Sequence, residues 1–287
     1  MANSDKLIKQ AEGLLTRLEG LLPREAPEPD WDASVAFRWR KKNGRGHIKP
    51  VRHVHRIALR DLQGIDAQKE LVERNTRQFV EGYTANNVLL TGARGTGKSS
   101  IVKGLLHKYS RQGLRLIEVE KNDLVDLPTI VDQVAPRPER FLLFCDDLSF
   151  HGAEEGYIAL KVALDGSIST TSENLLIYAT SNRRHLMPEY MTENLETKYV
   201  GDEIHPGETV EEKISLSERF GLWVTFYPFD QDEYLDIVEQ WLKSFGASSG
   251  EKAREEALQW ALQRGSRSGR VAYQFARDWA GRNAKKK

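Results

Sequence analysis

Gly92, Gly97, Lys98 and Ser99 stand at the spacing G-x-x-x-x-G-K-[ST], inside Asn87-Val88-Leu89-Leu90-Thr91-Gly92-Ala93-Arg94-Gly95-Thr96-Gly97-Lys98-Ser99-Ser100. Glycines there let backbone N–H groups curl around a phosphate chain with no Cβ in the way. The run Gly92, Ala93, Arg94, Gly95, Thr96, Gly97, Lys98, Ser99 and Ser100 is therefore the candidate cradle for the phosphates of ATP. Lys98 is expected to reach the β- and γ-phosphates, and the Ser99 hydroxyl to complete a Mg²⁺ shell. The competing reading is a chance glycine-rich turn. Against it, an apolar run precedes the loop and a helix-like run, Ile101 to Tyr109, follows, which is the context the motif demands.

A second group of polar residues stands further on. Phe141-Leu142-Leu143-Phe144-Cys145 is continuously apolar, as in a strand buried on both faces, and Asp146-Asp147 follows directly. A carboxylate at the C-terminal end of a parallel strand lies where α/β sheets bind ligands. Asp146 is expected to hold Mg²⁺ through its water shell, and Asp147 to orient or activate the attacking water. Another buried run, Asn174 to Ala179, ends in Thr180-Ser181-Asn182. The Asn182 amide either meets the γ-phosphate or the attacking water, or caps the next helix as turn asparagines commonly do.

These groups need a scaffold, and the patterning supplies one. The apolar run Val88-Leu89-Leu90 and strand-like runs at 114–119, 141–145, 174–179 and 222–226 alternate with helical spacing, which predicts an α/β protein. A helix is expected from Asp61 to about Glu81, with Leu62, Gly64 and Ile65 placed to cover the adenine or else simply packed in the core. From Phe229 the pattern is all helical: 232–245, 251–263 and 268–279.

The chain has 287 residues, 42 basic and 42 acidic, and its longest apolar runs are strand-length, so no membrane span is expected. Its one cysteine, Cys145, excludes an internal disulfide and fits a reducing, cytoplasmic setting. Residues 5–22 read as an amphipathic helix ended by Pro23, Pro27 and Pro29. Residues 33–60 hold no acid but carry Arg38, Arg40, Lys41, Lys42, Arg45, Lys49, Arg52, Arg56 and Arg60, with Phe37 and Trp39 among them. Such a stretch either contacts nucleic acid, with aromatics stacking on bases, or lies on an acidic surface. The acidic segment 188–212 is a rival partner for its charge. His53 and His55 have no Cys or carboxylate beside them, so no metal site is expected there.

Taken in this order, the phosphate loop, Asp146-Asp147, Asn182, Arg219 in Glu218-Arg219-Phe220-Gly221, and Arg270 after Gly265-Ser266-Arg267-Ser268-Gly269 resemble the AAA+ ATPases. Within them the chain resembles a bacterial family of single-module, predicted ATP-binding proteins of unassigned function, over roughly residues 55–283. The resemblance implies a three-layer αβα P-loop NTPase core with a five-stranded parallel sheet of order 5-1-4-3-2, and a C-terminal helical lid. The chain is thus expected to divide into a helix and basic arm at 1–50, read from patterning and charge, and the core at 51–228 and lid at 229–287 that the resemblance implies. It gives Asn182 the role of polar sensor, Arg219 that of a finger acting on a neighbour's nucleotide, and Arg270 that of lid sensor, with Arg267 as its competitor. It also implies a homo-oligomer acting on a protein or nucleic-acid partner. Where most of the superfamily has Asp-Glu, this chain has Asp146-Asp147, so either the shorter Asp147 still positions the water, or hydrolysis is slow, or Glu154 or Glu155 assists. A nucleotide-dependent switch with little turnover is the alternative function. A small-molecule kinase would need neither Arg219 nor the lid.

Overall fold

The computed structural model describes residues 13, 28–42, 44–54, 57–150, 154–165, 172–182, 186, 198–200, 203–205 and 216–283. The expected helix at 5–22, most of the acidic segment 188–212 and the lysine tail lie outside these residues.

Seven strands form one sheet: β1 (Ala36–Lys42), β2 (Arg45–Pro50), β3 (Val88–Gly92), β4 (Leu114–Glu118), β5 (Arg140–Cys145), β6 (Leu175–Ser181) and β9 (Leu222–Phe226). Their spatial order is β2-β1-β4-β5-β6-β3-β9. β7 (Lys198–Val200) and β8 (Glu203–His205) pair separately as a small antiparallel ribbon. The expected five-stranded, all-parallel sheet is thus corrected to a seven-stranded mixed one. Strands β9, β3, β6, β5 and β4 run parallel to their neighbours, β1 adds parallel to β4, and β2 pairs antiparallel with β1.

The added hairpin corrects the reading of residues 36–50 as linker and arm. Along β1 the side chains alternate. Phe37 and Trp39 are fully buried, Ile48 of β2 joins them, and Trp39 Nε1 donates to Asp126 at 2.8 Å. Trp39 therefore offers no stacking surface to a base. Arg38 pairs with Glu118 at 2.6 Å, Arg40 with Glu120, and Lys41 with Asp126 at 2.8 Å. The acidic surface met by these cations is 118–126, at and just beyond β4.

Helices cover both faces of the sheet. α1 (Asp66–Val80) and α2 (Lys98–Tyr109) lie with the lid on one face, where Val72, Phe79, Ile101, Val102, Leu142 and Phe144 share a core. α3 (Leu127–Val134) and α4 (Glu155–Asp165) lie on the other, with Ile130, Leu143, Tyr157 and Ile177. α1 begins at Asp66, later than expected, because residues 59–61 form a separate 3-10 turn. The C-terminal region expected to be the lid, and called so below, is helical: α5 (Gln231–Ser244), α6 (Glu251–Arg264) and α7 (Gly269–Asn283). Asp230 and Glu233 form a reciprocal capping box that starts α5, and Gly265 in the left-handed region ends α6. Tyr234 of α5 is buried and donates to the Ala257 carbonyl of α6 at 3.1 Å, fixing the lid as a unit.

Candidate active site

The phosphate loop joins the C-terminal end of β3 to the start of α2. Gly92 has φ 120°, and a Cβ there would stand 1.9 Å from the Phe226 carbonyl oxygen of β9. No side chain fits that approach. Lys98 begins α2 and is 5% exposed. Its Nζ donates to the carbonyls of Gly92 at 2.8 Å and Ala93 at 2.7 Å, and to Asn182 Oδ1 at 3.1 Å. Burial holds its pKa down to about 8, against the pull of Asp146 and Asp147, and the charges of Arg94 and Arg270 lower it further. A phosphate chain would remove the imbalance that makes this buried cation costly.

Ser99 Oγ donates to Asp146 Oδ1 at 2.6 Å, across from α2 to the end of β5. Asp147 has φ 54° and is the one non-glycine with positive φ among the described residues. That conformation costs roughly 1–2 kcal/mol, less for Asp than for most residues. Asn182 Nδ2 donates to Asp147 Oδ1. Asn182 thus touches Lys98 with one amide atom and Asp147 with the other, so β3, β5 and β6 converge on one polar cluster. Thr96 Oγ1 closes the loop from within by donating to the Ala93 carbonyl at 2.8 Å.

The remaining expected residues fall around this cluster. Ile65 is buried, and its Cδ1 lies 2.9 Å from the position of a Cβ on Gly97, so it packs directly on the loop. Leu62 is partly buried against the core, and its carbonyl accepts from Lys69. The lid reaches the loop at the start of α7: a Cβ on Gly95 would meet Ser268 Oγ at 2.8 Å and Arg270 Cβ at 3.4 Å. Arg267 lines a cavity of about 410 Å³ with Ala93, Arg94, Thr96 and Phe229. Both lid arginines therefore stand beside the loop. Arg219 does not join the cluster; its Nε donates to Asp165 at the end of α4. Glu154, considered as a helper, pairs with Lys121 at 2.6 Å.

Two contributors went unread in the sequence. Thr180 binds both aspartates, through its hydroxyl, and Ser268 seats the lid on Gly95. The one signal for Thr180 was its place at the end of an apolar strand.

A glycine-rich loop after β3, paired aspartates after β5, a polar residue after β6 and a helical C-terminal region together make up the fold of the AAA+ ATPases. Residues 32–283 match the family described as "Protein of unknown function (DUF815)", and the chain belongs to that family. No curated protein matches it. Among solved structures it is similar to Aeropyrum pernix ORC1 in complex with DNA, at 16% identity and a TM-score of 0.54, over 77% of this chain and 61% of that one. It is similar to the FIGL-1 AAA domain in complex with ADP, at 20% identity and a TM-score of 0.52, over 79% and 74%. It is also similar to a single-residue variant of Thermotoga maritima RuvB, at 14% and 0.50, over 77% and 63%. The chain spans about three fifths of the length of the ORC1 and RuvB chains. At these identities the likeness is one of fold. No helix among the described residues is long and apolar enough to cross a membrane.

Proposed function

We propose that this chain is an ATP hydrolase that binds Mg-ATP at the phosphate loop and uses turnover to move lid against core, acting on a protein or nucleic-acid partner. The observation that carries the reading is the joined network Ser99–Asp146 and Lys98–Asn182–Asp147 at the ends of three adjacent strands.

The residues fit Mg²⁺. Ser99 Oγ and Asp146 Oδ1 are hard oxygen donors 2.6 Å apart, and no cluster of three His, Cys, Asp or Glu among the described residues competes for a metal. Ser99 would hold the ion directly and Asp146 through water. When bound, the ion neutralises charge on the β- and γ-phosphate oxygens. Lys98 and the loop N–H groups hold the phosphates. Asp147 takes the proton of the water that attacks the γ-phosphorus, while Asn182 keeps its carboxylate aimed. Arg270, with Arg267 beside it, couples the lid to the phosphates; Leu62 and Ile65 would cover the adenine.

The reading extends to a cytoplasmic homo-oligomer in which Arg219 serves a neighbour's nucleotide. A core that includes the β1–β2 hairpin and runs to 228, and a lid at 229–287, are the moving parts. Nucleic acid remains a partner for the basic face of 33–60, through phosphate contacts from exposed cations such as Lys42 and Lys49. A switch with little turnover is the second reading, favoured by the short Asp147 side chain already engaged by Asn182.

Turnover by the purified chain, with and without single- and double-stranded nucleic acid, tests these readings. Sustained phosphate release supports the hydrolase. Mg-ATP binding without release under every condition selects the switch. Fluorescence anisotropy across a salt series tests the basic face, and no binding at low salt removes nucleic acid from the partners.

A further inference from the structure

We propose that Thr180 is a positioning residue for hydrolysis, whose single hydroxyl locks the metal-side carboxylate of Asp146 to the backbone of Asp147. The inference rests on the nucleotide-site reading above and assigns a residue outside the loop, the aspartates and the sensors.

Thr180 lies near the end of β6 and is 2% exposed. Its Oγ1 accepts from the Asp147 N–H at 2.9 Å and donates to Asp146 Oδ1 at 2.6 Å. A hydroxyl has one proton, and an amide N–H can only donate. The Thr180 proton is therefore committed to Asp146. Asp146 Oδ1 receives two hydroxyl donors, from Ser99 at the start of α2 and from Thr180 in β6. The Thr180 carbonyl also accepts from the Leu148 N–H at 2.7 Å. Residues 146–148 thus hang from one threonine by three hydrogen bonds.

This arrangement matters at Asp147. Asp147 combines a left-handed backbone with a carboxylate held by Asn182, and the Thr180 hydroxyl accepts from the N–H of that strained residue. A buried threonine that only filled space would need no such pairing. Serine would keep both bonds; valine would keep the shape and lose both.

The test compares Thr180→Val and Thr180→Ser with wild type, using the full chain. Three quantities are read: the Mg²⁺ concentration giving half-maximal binding of a fluorescent ATP analogue, kcat against KM for ATP, and Tm. Supporting contacts of metal ligands typically change affinity or activity by about 10- to 100-fold, so Thr180→Val should raise the Mg²⁺ half-point and lower kcat by roughly tenfold or more, with KM little changed. Thr180→Ser should stay close to wild type in both. Wild-type values for Thr180→Val overturn the proposal, and so does equal damage in Thr180→Ser, which would mean packing. Should Thr180→Val not fold, Thr180→Ala against Thr180→Ser decides in the same way. If wild type binds nucleotide without turnover, the Mg²⁺ titration alone decides. If wild type binds none, the nucleotide-site reading fails and takes this inference with it.

Discussion

Arg219 donates from Nε to Oδ1 of Asp165, the last residue of α4, and so ties the segment entering β9 to the opposite end of a helix from the sheet's polar cluster. An exposed or half-exposed pair of this kind contributes about 1 kcal/mol or less. Its position bears on how Arg219 would serve catalysis.

If Arg219 acts on a neighbour's γ-phosphate, Arg219→Ala should lower turnover by roughly 10³-fold or more, as removal of such a guanidinium does elsewhere. Asp165→Ala should leave turnover near wild type. Mixing Arg219→Ala with Lys98→Ala protein should restore activity that neither has alone, because one retains the pocket and the other the arginine. Turnover unchanged on dilution to a demonstrated monomer, or equal loss in Asp165→Ala, returns Arg219 to a structural role.

Lys98→Ala should bind Mg-ATP about 10- to 100-fold more weakly, the scale of a lost charged hydrogen bond of 1.5–3 kcal/mol. The protein should stay folded, since the stem of Lys98 contributes little to either core cluster. Titration calorimetry and a thermal melt check both parts. Unchanged affinity would mean that the loop does not hold the phosphates.

Asp147→Asn keeps the shape and removes the base. ATP binding should persist while turnover falls roughly 10²-fold or more. A coupled assay that finds normal turnover moves the role of base away from Asp147.

Trp39→Ala should destabilise the protein by about 3–5 kcal/mol, the usual cost of emptying a buried aromatic site. The side chain is 1% exposed and bonded to Asp126. Urea unfolding measures the loss. A stability near wild type would place Trp39 outside the core.

Cys145 is fully buried at the end of β5, and burial pushes its thiol up to about 12. It should therefore resist a thiol reagent at pH 8 in the native protein and react at once in urea. The sign of the linkage follows. Unfolded, the thiol ionises near 9; folded, it keeps its proton to about 12. The folded state binds more protons in that window, so this group makes stability fall as pH rises from 9 to 12. Fast labelling of native protein at pH 8 would contradict the burial.

The local devices were legible in the chain itself. A glycine-rich turn with Lys98 and Ser99 carries its chemistry within eight residues, and a continuous apolar run followed by Asp146-Asp147 declares both a buried strand and the polar end of it. The helical lid was legible because spacing of 3.6 repeats over three successive segments. What only the tertiary structure decided were relations between distant segments. Phe37, Trp39 and Ile48 alternate as a strand, but the cations between them dominate the pattern until Glu118, Glu120 and Asp126 are folded against them. A basic run thereby becomes the sixth and seventh strands of a sheet. Thr180 is an ordinary strand residue until β5 is laid beside β6 and brings Asp146 and Asp147, more than thirty positions earlier, within reach of one hydroxyl. Sequence encodes burial by period and composition, which are short-range. Which hydroxyl meets which carboxylate depends on strand order and register, and those are set by how the whole sheet packs.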